Sequence, residues 1–129
     1  MAKQLTLGKD ERLKSRKAIE QLFNEGKRFS IASFRTHYVL LNKEELLFGA
    51  GVSTRNFKKA TDRNRIKRLI RESYRLQKLQ LKNKLVENKK GLHLFLIFNG
   101  KELPEYSFVY LHVEKIIKKL LKLIDENPA

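Results

Sequence analysis

In RKAIEQLFNEG the apolar residues Ala18, Ile19, Leu22 and Phe23 recur three and four positions apart, which puts them on one side of a short helix. Ser15 stands where a side-chain cap belongs, and Gly26 marks the end. The period then changes. RFSIASFRTHYVLL and LLFGAGVS are rich in β-branched and aromatic residues and are separated by the polar NKEE of residues 42–45, so the pattern predicts a hairpin, with a short extra strand around 27–30. Phe34, Tyr38 and Leu40 alternate along one strand face and are read as core. No Gly or Pro interrupts residues 61–88, which predicts a long helix to about Lys84 with Asp62 as its cap. LHLFLIF, residues 92–98, is apolar at nearly every position, the pattern of a strand covered on both faces, so Phe95 and Ile97 are expected in the core. After Pro104, the residues Val109, Val113, Ile116, Ile117, Leu120 and Ile124 make a helical stripe, and the final ENPA is expected to fray.

The order α-β-β-β-α-β-α predicts an α+β fold: a small sheet of about four strands with helices packed against it. At 129 residues, 41% of them hydrophobic and 33% charged, the chain suits a single domain over 1–129 with an ordered core of about 11–124. The strand-helix-strand unit around the long helix is expected, on pattern alone, to cross right-handed.

Charge narrows the partner. Twenty-nine Lys and Arg against 14 Asp and Glu leave +15, a field that attracts nucleic acid or an anionic membrane surface. The excess is localised, since twelve of those cations and only two acids fall between Thr54 and Lys84. With no cysteine, disulfide and thiol chemistry are excluded. The N-terminus lacks the apolar stretch of a signal peptide and no run approaches a membrane span, so the expected location is cytoplasmic.

At about 100° per residue, Ile66, Leu69, Ile70 and Leu76 fall on one arc of the long helix, while Arg63, Lys67, Arg68, Arg71, Arg75 and Lys78 fall on another. A charge run is ordinarily a solvated face of i,i+4 ion pairs, but here only Glu72 is available along the ridge. Like charges at that spacing repel, a cost that a bound polyanion relieves. Asn64 adds an amide able to read a base edge, and the preceding loop adds Arg55, Asn56, Lys58 and Lys59. The ridge is therefore read as an RNA-binding surface.

The stretch VSTRNFKKATDRNRIKRLIRESYR resembles the signature of the protein subunit of bacterial ribonuclease P, an Arg-Asn-Arg followed by Ile/Leu-Lys-Arg at a helix start, and the likeness covers roughly residues 11–124. The resemblance implies a protein that does not itself cleave. A catalytic RNA, with Mg2+ at its active site, would hydrolyse precursor tRNA, while the protein binds that RNA and the substrate's 5′ leader. It implies RNA contact for Arg55, Lys58, Lys59, Arg63, Asn64, Arg65, Lys67, Arg68 and Arg71, and a leader cleft that takes in Arg16, Ile19, Phe23 and His37. It also implies a left-handed crossover, against the right-handed expectation. Ile19 stands where most members have an aromatic, His37 where a Tyr or Phe is usual, and Ser53-Thr54-Arg55 where Ser/Ala-Lys-Lys is common.

Other chemistries find less support. His37, His93 and His112 lack metal-ligand spacing, so no protein-bound cofactor is expected; His93 reads as a satisfied core histidine. Glu44-Glu45 in a turn reads as a solvated pair. A ribosomal or other structural RNA-binding protein would explain charge and size equally well. DNA is disfavoured because no helix-turn-helix or heptad repeat accompanies the basic helix, and a membrane surface because the apolar arc is needed by the core.

Overall fold

A computed structural model of the protein describes residues 11–126. In chain order its elements are α1 (Arg16–Glu25), β1 (Lys27–Ile31), β2 (Phe34–Leu41), β3 (Leu46–Val52), α2 (Ala60–Glu87), β4 (Gly91–Phe98) and α3 (Tyr106–Glu126). This is the expected α+β order. The hydroxyl Oγ of Ser15 accepts from the Ala18 amide at 3.3 Å, and the Gly26 amide donates to Leu22 O at 2.8 Å. A Cβ at Gly26 would lie 2.4 Å from Leu22 O and 2.8 Å from Tyr38 O, so close approach of two chains, rather than a left-handed turn, demands glycine there.

The strand order β1-β2-β4-β3 overturns the predicted hairpin. β4 lies between β2 and β3, antiparallel to the first and parallel to the second, so the NKEE turn leads into a different part of the sheet. The hairpin is instead β1–β2, turning at Ala32-Ser33 with Ala32 at φ 51. The cause lies in β4. Its Leu92, Leu94, Leu96 and Phe98 are at most 2% exposed, and the centre of the sheet is where such a strand pairs along both edges.

One face of the sheet carries α2 and α3 over a shared core. Phe48 stacks on Tyr74 with ring centroids 3.8 Å apart, and Phe34, Phe57 and Phe98 pack together beneath α3 and the entry to α2. The α3 stripe is buried as predicted, and Phe34 and Tyr38 lie in the core. Phe95 and Ile97 do not: the pleat turns them, with His93, to the opposite face, where they are half-buried. β4 is sealed on one side only.

Three helix details differ from expectation. Lys59, not Asp62, occupies the cap position of α2 and makes no side-chain cap bond; Asp62 lies in the first turn, where a carboxylate still favours the positive end of the helix. The helix continues to Glu87, with Asn88 Nδ2 donating to Lys84 O at 2.8 Å. α3 begins two residues after Pro104. The buried side of α2 also drifts along its 28 residues, leaving Leu76 40% exposed while Lys78, placed by the wheel on the basic arc, is 1% exposed and paired with Glu11 Oε2 at 2.7 Å. Glu45 is not merely solvated: its carboxylate meets His93 Nε2 at 2.8 Å and Lys43 Nζ at 3.3 Å, contacts that hold it below the usual carboxylate range, His93 foremost. Residues 127–129 lie outside the described structure.

Candidate nucleic-acid interface

α1 crosses the sheet face opposite the core and covers only part of it. Leu22 is its one fully buried side chain, seated beside Val39 and His93. The uncovered face follows from strand register. Arg28, His37, Phe95 and Gly49 form one row across β1, β2, β4 and β3, and Ser30, Arg35, Ile97 and Gly51 form the next. Phe23, 43% exposed at the end of α1, hangs over the first row, its ring centroid 4.5 Å from His37 and 5.4 Å, edge-on, from Phe95. A Cβ at Gly49 would lie 2.4 Å from Phe95 Cδ2 and one at Gly51 2.9 Å from Cε1, so only bare backbone on β3 lets that ring lie across it.

Below the rings the face opens into a depression of about 780 Å³ lined by Arg35, Arg55, Ile97 and Lys101 among others. Three cations and the polar Ser53, Thr54, Asn56 and Asn99 line it around an aliphatic floor of Val52 and Ile97, and with the rings of Phe23 and Phe95 beside it the face combines stacking surface with charge that neutralises phosphates. Burial, then Arg35 and Arg28, pull the imidazole of His37, only 8% exposed beneath Phe23, below its ordinary 6.5, which favours the neutral ring that packs against Phe23. Arg16 and Ile19 share Phe23's stripe on α1, with Arg16 exposed about 10 Å up the helix. The structure thus brings Phe23 and His37 together and leaves Arg16 at the far end of the wall.

The cationic ridge adjoins this cleft through residues 53–59. Asn64, Arg65 and Arg68 are exposed on α2, Arg63, Lys67 and Arg71 are half-buried, and Arg55, Lys58 and Lys59 are exposed in the preceding loop. Among the described residues no carboxylate pairs with any of these eight cations. Arg63 is partly committed elsewhere: its Nη1 donates to Phe57 O at 2.8 Å and Lys58 O at 2.7 Å, bracing the loop that carries the two lysines. Asn56 is likewise a tie, donating to Asn99 O at 2.9 Å and Gly100 O at 3.2 Å. Burial and then the neighbouring Arg12 guanidinium hold Arg71 below the usual arginine range. Further along α2 compensation begins, with Arg75 bonded to Glu72 and Lys84 to Asp125 at 2.9 Å. The open ridge is therefore the first half of the helix.

This arrangement has counterparts. A family model described as Ribonuclease P matches residues 7–123. The chain belongs to the ribonuclease P protein family. Similar sequences include the ribonuclease P protein component of Porphyromonas gingivalis, 32% identical over 117 residues that span 88% of this chain and 85% of that protein. The component from Dictyoglomus thermophilum is 34% identical over 121 residues, covering 94% of this chain and 91% of that one. Among solved structures, the RNase P protein from Thermotoga maritima superposes with a TM-score of 0.66 at 25% identity, covering 84% of this chain and 96% of its own. The Staphylococcus aureus RNase P protein shares the fold at 20% identity, with a TM-score of 0.65 over 87% and 96% of the two chains. As a ribonuclease P protein, the chain is a subunit of an endoribonuclease complex that processes tRNA. No described helix is long and apolar enough to cross a membrane.

Sequence reasoning missed Arg28, Arg35, Phe95 and Lys101. Arg35 was signalled by period 2, since it lies exposed between the buried Phe34 and Thr36. Phe95 was hidden by the unbroken apolar run of β4.

Proposed function

We propose that this ribonuclease P protein binds the catalytic RNA subunit along the first half of α2 and the loop before it, and holds the 5′ leader of precursor tRNA in the cleft between α1 and the sheet. The observation that carries this reading is the ridge of Arg55, Lys58, Lys59, Arg65, Lys67, Arg68 and Arg71, none paired with a described carboxylate, running through Arg55 into a depression lined by Arg35 and Lys101 beside the rings of Phe23 and Phe95. Duplex RNA is recognised largely through its backbone, and single strands by stacking, so the two surfaces suit two different states of RNA. In the cleft, Phe23 and Phe95 offer ring surface to unpaired bases over the buried His37, while Arg28 and Arg35 neutralise the strand that connects them. Hydrolysis and its Mg2+ belong to the RNA subunit in this reading, as membership of the ribonuclease P protein family implies. The protein's contribution is position and charge: it fixes the leader relative to the RNA and lowers the repulsion between two polyanions. The site of action is cytoplasmic.

Reconstitution tests this. Protein alone, incubated with precursor tRNA, leaves it intact; adding the RNA subunit restores leader removal, and substrates with leaders cut to one nucleotide lose the advantage that the protein confers. Cleavage by protein alone, or an advantage independent of leader length, contradicts the reading.

A further inference from the structure

A second run of cations lies on α3, far from the Arg-Asn-Arg block. Lys115, Lys118, Lys119 and Lys122 are all exposed, and at about 100° per residue they fall within an arc of about 100° opposite the buried stripe of the helix. They stand three and four positions apart, the spacing at which like charges repel, and among the described residues none meets a carboxylate. The acids of α3 are placed otherwise. Asp125 is bonded to Lys84 of α2, Glu114 flanks the strip half-buried, and Glu126 closes its far end, where it adds to burial in raising the Tyr38 hydroxyl. One turn before Lys115 the same side carries the exposed Leu111 and then the exposed Phe108, whose ring centroid is 4.2 Å from that of His112.

The strip adjoins the α1 cleft across a single strand. β1 is the edge of the sheet, and its successive side chains turn to opposite faces. Arg28 is in register with His37 on the cleft face, whereas Phe29 faces the core, its ring 5.8 Å from that of Tyr38 and covered by Lys119 Nζ at 4.6 Å. Positive charge thus passes from one face to the other in one residue step. We propose that the lysine strip of α3 binds the upstream part of the precursor's 5′ leader, the nucleotides beyond those held in the cleft. The inference rests on the leader reading of the cleft and lengthens its track around the edge of β1. Exposed rings beside the cations favour an unpaired strand, because a duplex keeps its bases stacked on one another. An unpaired segment of the RNA subunit offers the same chemistry, and leader length separates the two sources.

The experiment compares the parent with Lys115→Gln/Lys119→Gln, Lys118→Gln/Lys122→Gln and Arg35→Gln, each assembled with the RNA subunit, on precursor tRNA with leaders of about five and about fifteen nucleotides. Affinity of each protein for the RNA subunit, and its melting temperature, are measured alongside. The parent is expected to hold the long-leader substrate more tightly than the short one. Each lysine pair variant loses about fivefold on the long leader and nothing on the short one, and its log-log salt slope for the long leader is shallower by about 0.7 for each lysine that meets a phosphate. RNA-subunit affinity stays unchanged. Lys118→Gln/Lys122→Gln melts with the parent, since neither side chain has an ion pair or ring contact among the described residues, so it carries the test even if taking Lys119 from Phe29 lowers the melting temperature of the other pair. No advantage of the long leader in the parent, an equal loss on both leaders, or a loss of RNA-subunit affinity overturns the inference. If Arg35→Gln weakens the short leader while the lysine variants bind the long one as the parent does, the strip fails and the cleft stands; if Arg35→Gln weakens neither, the leader reading itself fails.

Discussion

Arg63 and Arg65 are two positions apart in one motif and have different tasks. The Arg63 guanidinium satisfies the carbonyls of Phe57 and Lys58, so Arg63→Ala is expected to cost about 1–2 kcal/mol of stability, read as a drop in melting temperature, because one part-buried and one exposed acceptor lose a charged donor. Arg65 and Arg68 are exposed and without described partners, and replacing either with Ala should leave stability within about 0.5 kcal/mol while RNA affinity falls. A tag of "basic residue" in the sequence does not distinguish these roles; the loop that Arg63 braces is visible only once folded. His37 makes a second prediction. Its folded pKa lies below the unfolded value near 6.5, so below that pH the unfolded chain takes up the proton first and the native state is penalised. Above it the penalty vanishes. Melting temperatures of the parent and His37→Phe should therefore run parallel above pH 7 and diverge as pH falls through 6.5, with the parent losing more.

Among the elements, the β1–β2 hairpin turns through a left-handed alanine, which costs an L-residue about 1–2 kcal/mol. Ala32→Gly is expected to raise stability by about 0.5–1 kcal/mol in chemical denaturation, the relief of that strain less the entropy that glycine adds to the unfolded chain. The same alanine explains why the hairpin was misread. Hairpin turns are recognised by Asn, Asp or Gly, and Ala32-Ser33 carries none of these, whereas NKEE looks like a turn and is one, but leads to a strand that pairs elsewhere. Helices were legible because apolar spacing and caps are local, as Ser15 and the α3 stripe show. Strand order was not, because it depends on which strand most needs burial along both edges. β3 contributes through absence: Gly49→Val pushes the Phe95 ring aside, and leader affinity should fall about tenfold, the value of one lost base stack, with RNA-subunit affinity unchanged. A G49V protein that binds leader normally would remove Phe95 from the cleft floor.

For the whole molecule, +15 is distributed with purpose: ion pairs from Glu11, Glu72 and Asp125 compensate the middle and end of α2, while the Arg-Asn-Arg end, the loop before it and the cleft keep their charge. The sequence located that surplus correctly along the chain, but erred at Lys78, which the fold buries as part of the core. The cleft was legible only in its α1 wall and His37, since its floor is assembled from four strands whose neighbours no local pattern names. The central claim is that the open ridge neutralises RNA phosphates. The most direct measurement is the affinity for the RNA subunit across a series of KCl concentrations, for the parent and for Arg65→Gln/Arg68→Gln. About five neutralised phosphates predict a log-log slope of magnitude roughly 3.5–4.5, shallower by about 0.7–0.9 for each arginine removed. A flat salt response in the parent, or the same slope in the double variant, would contradict the account.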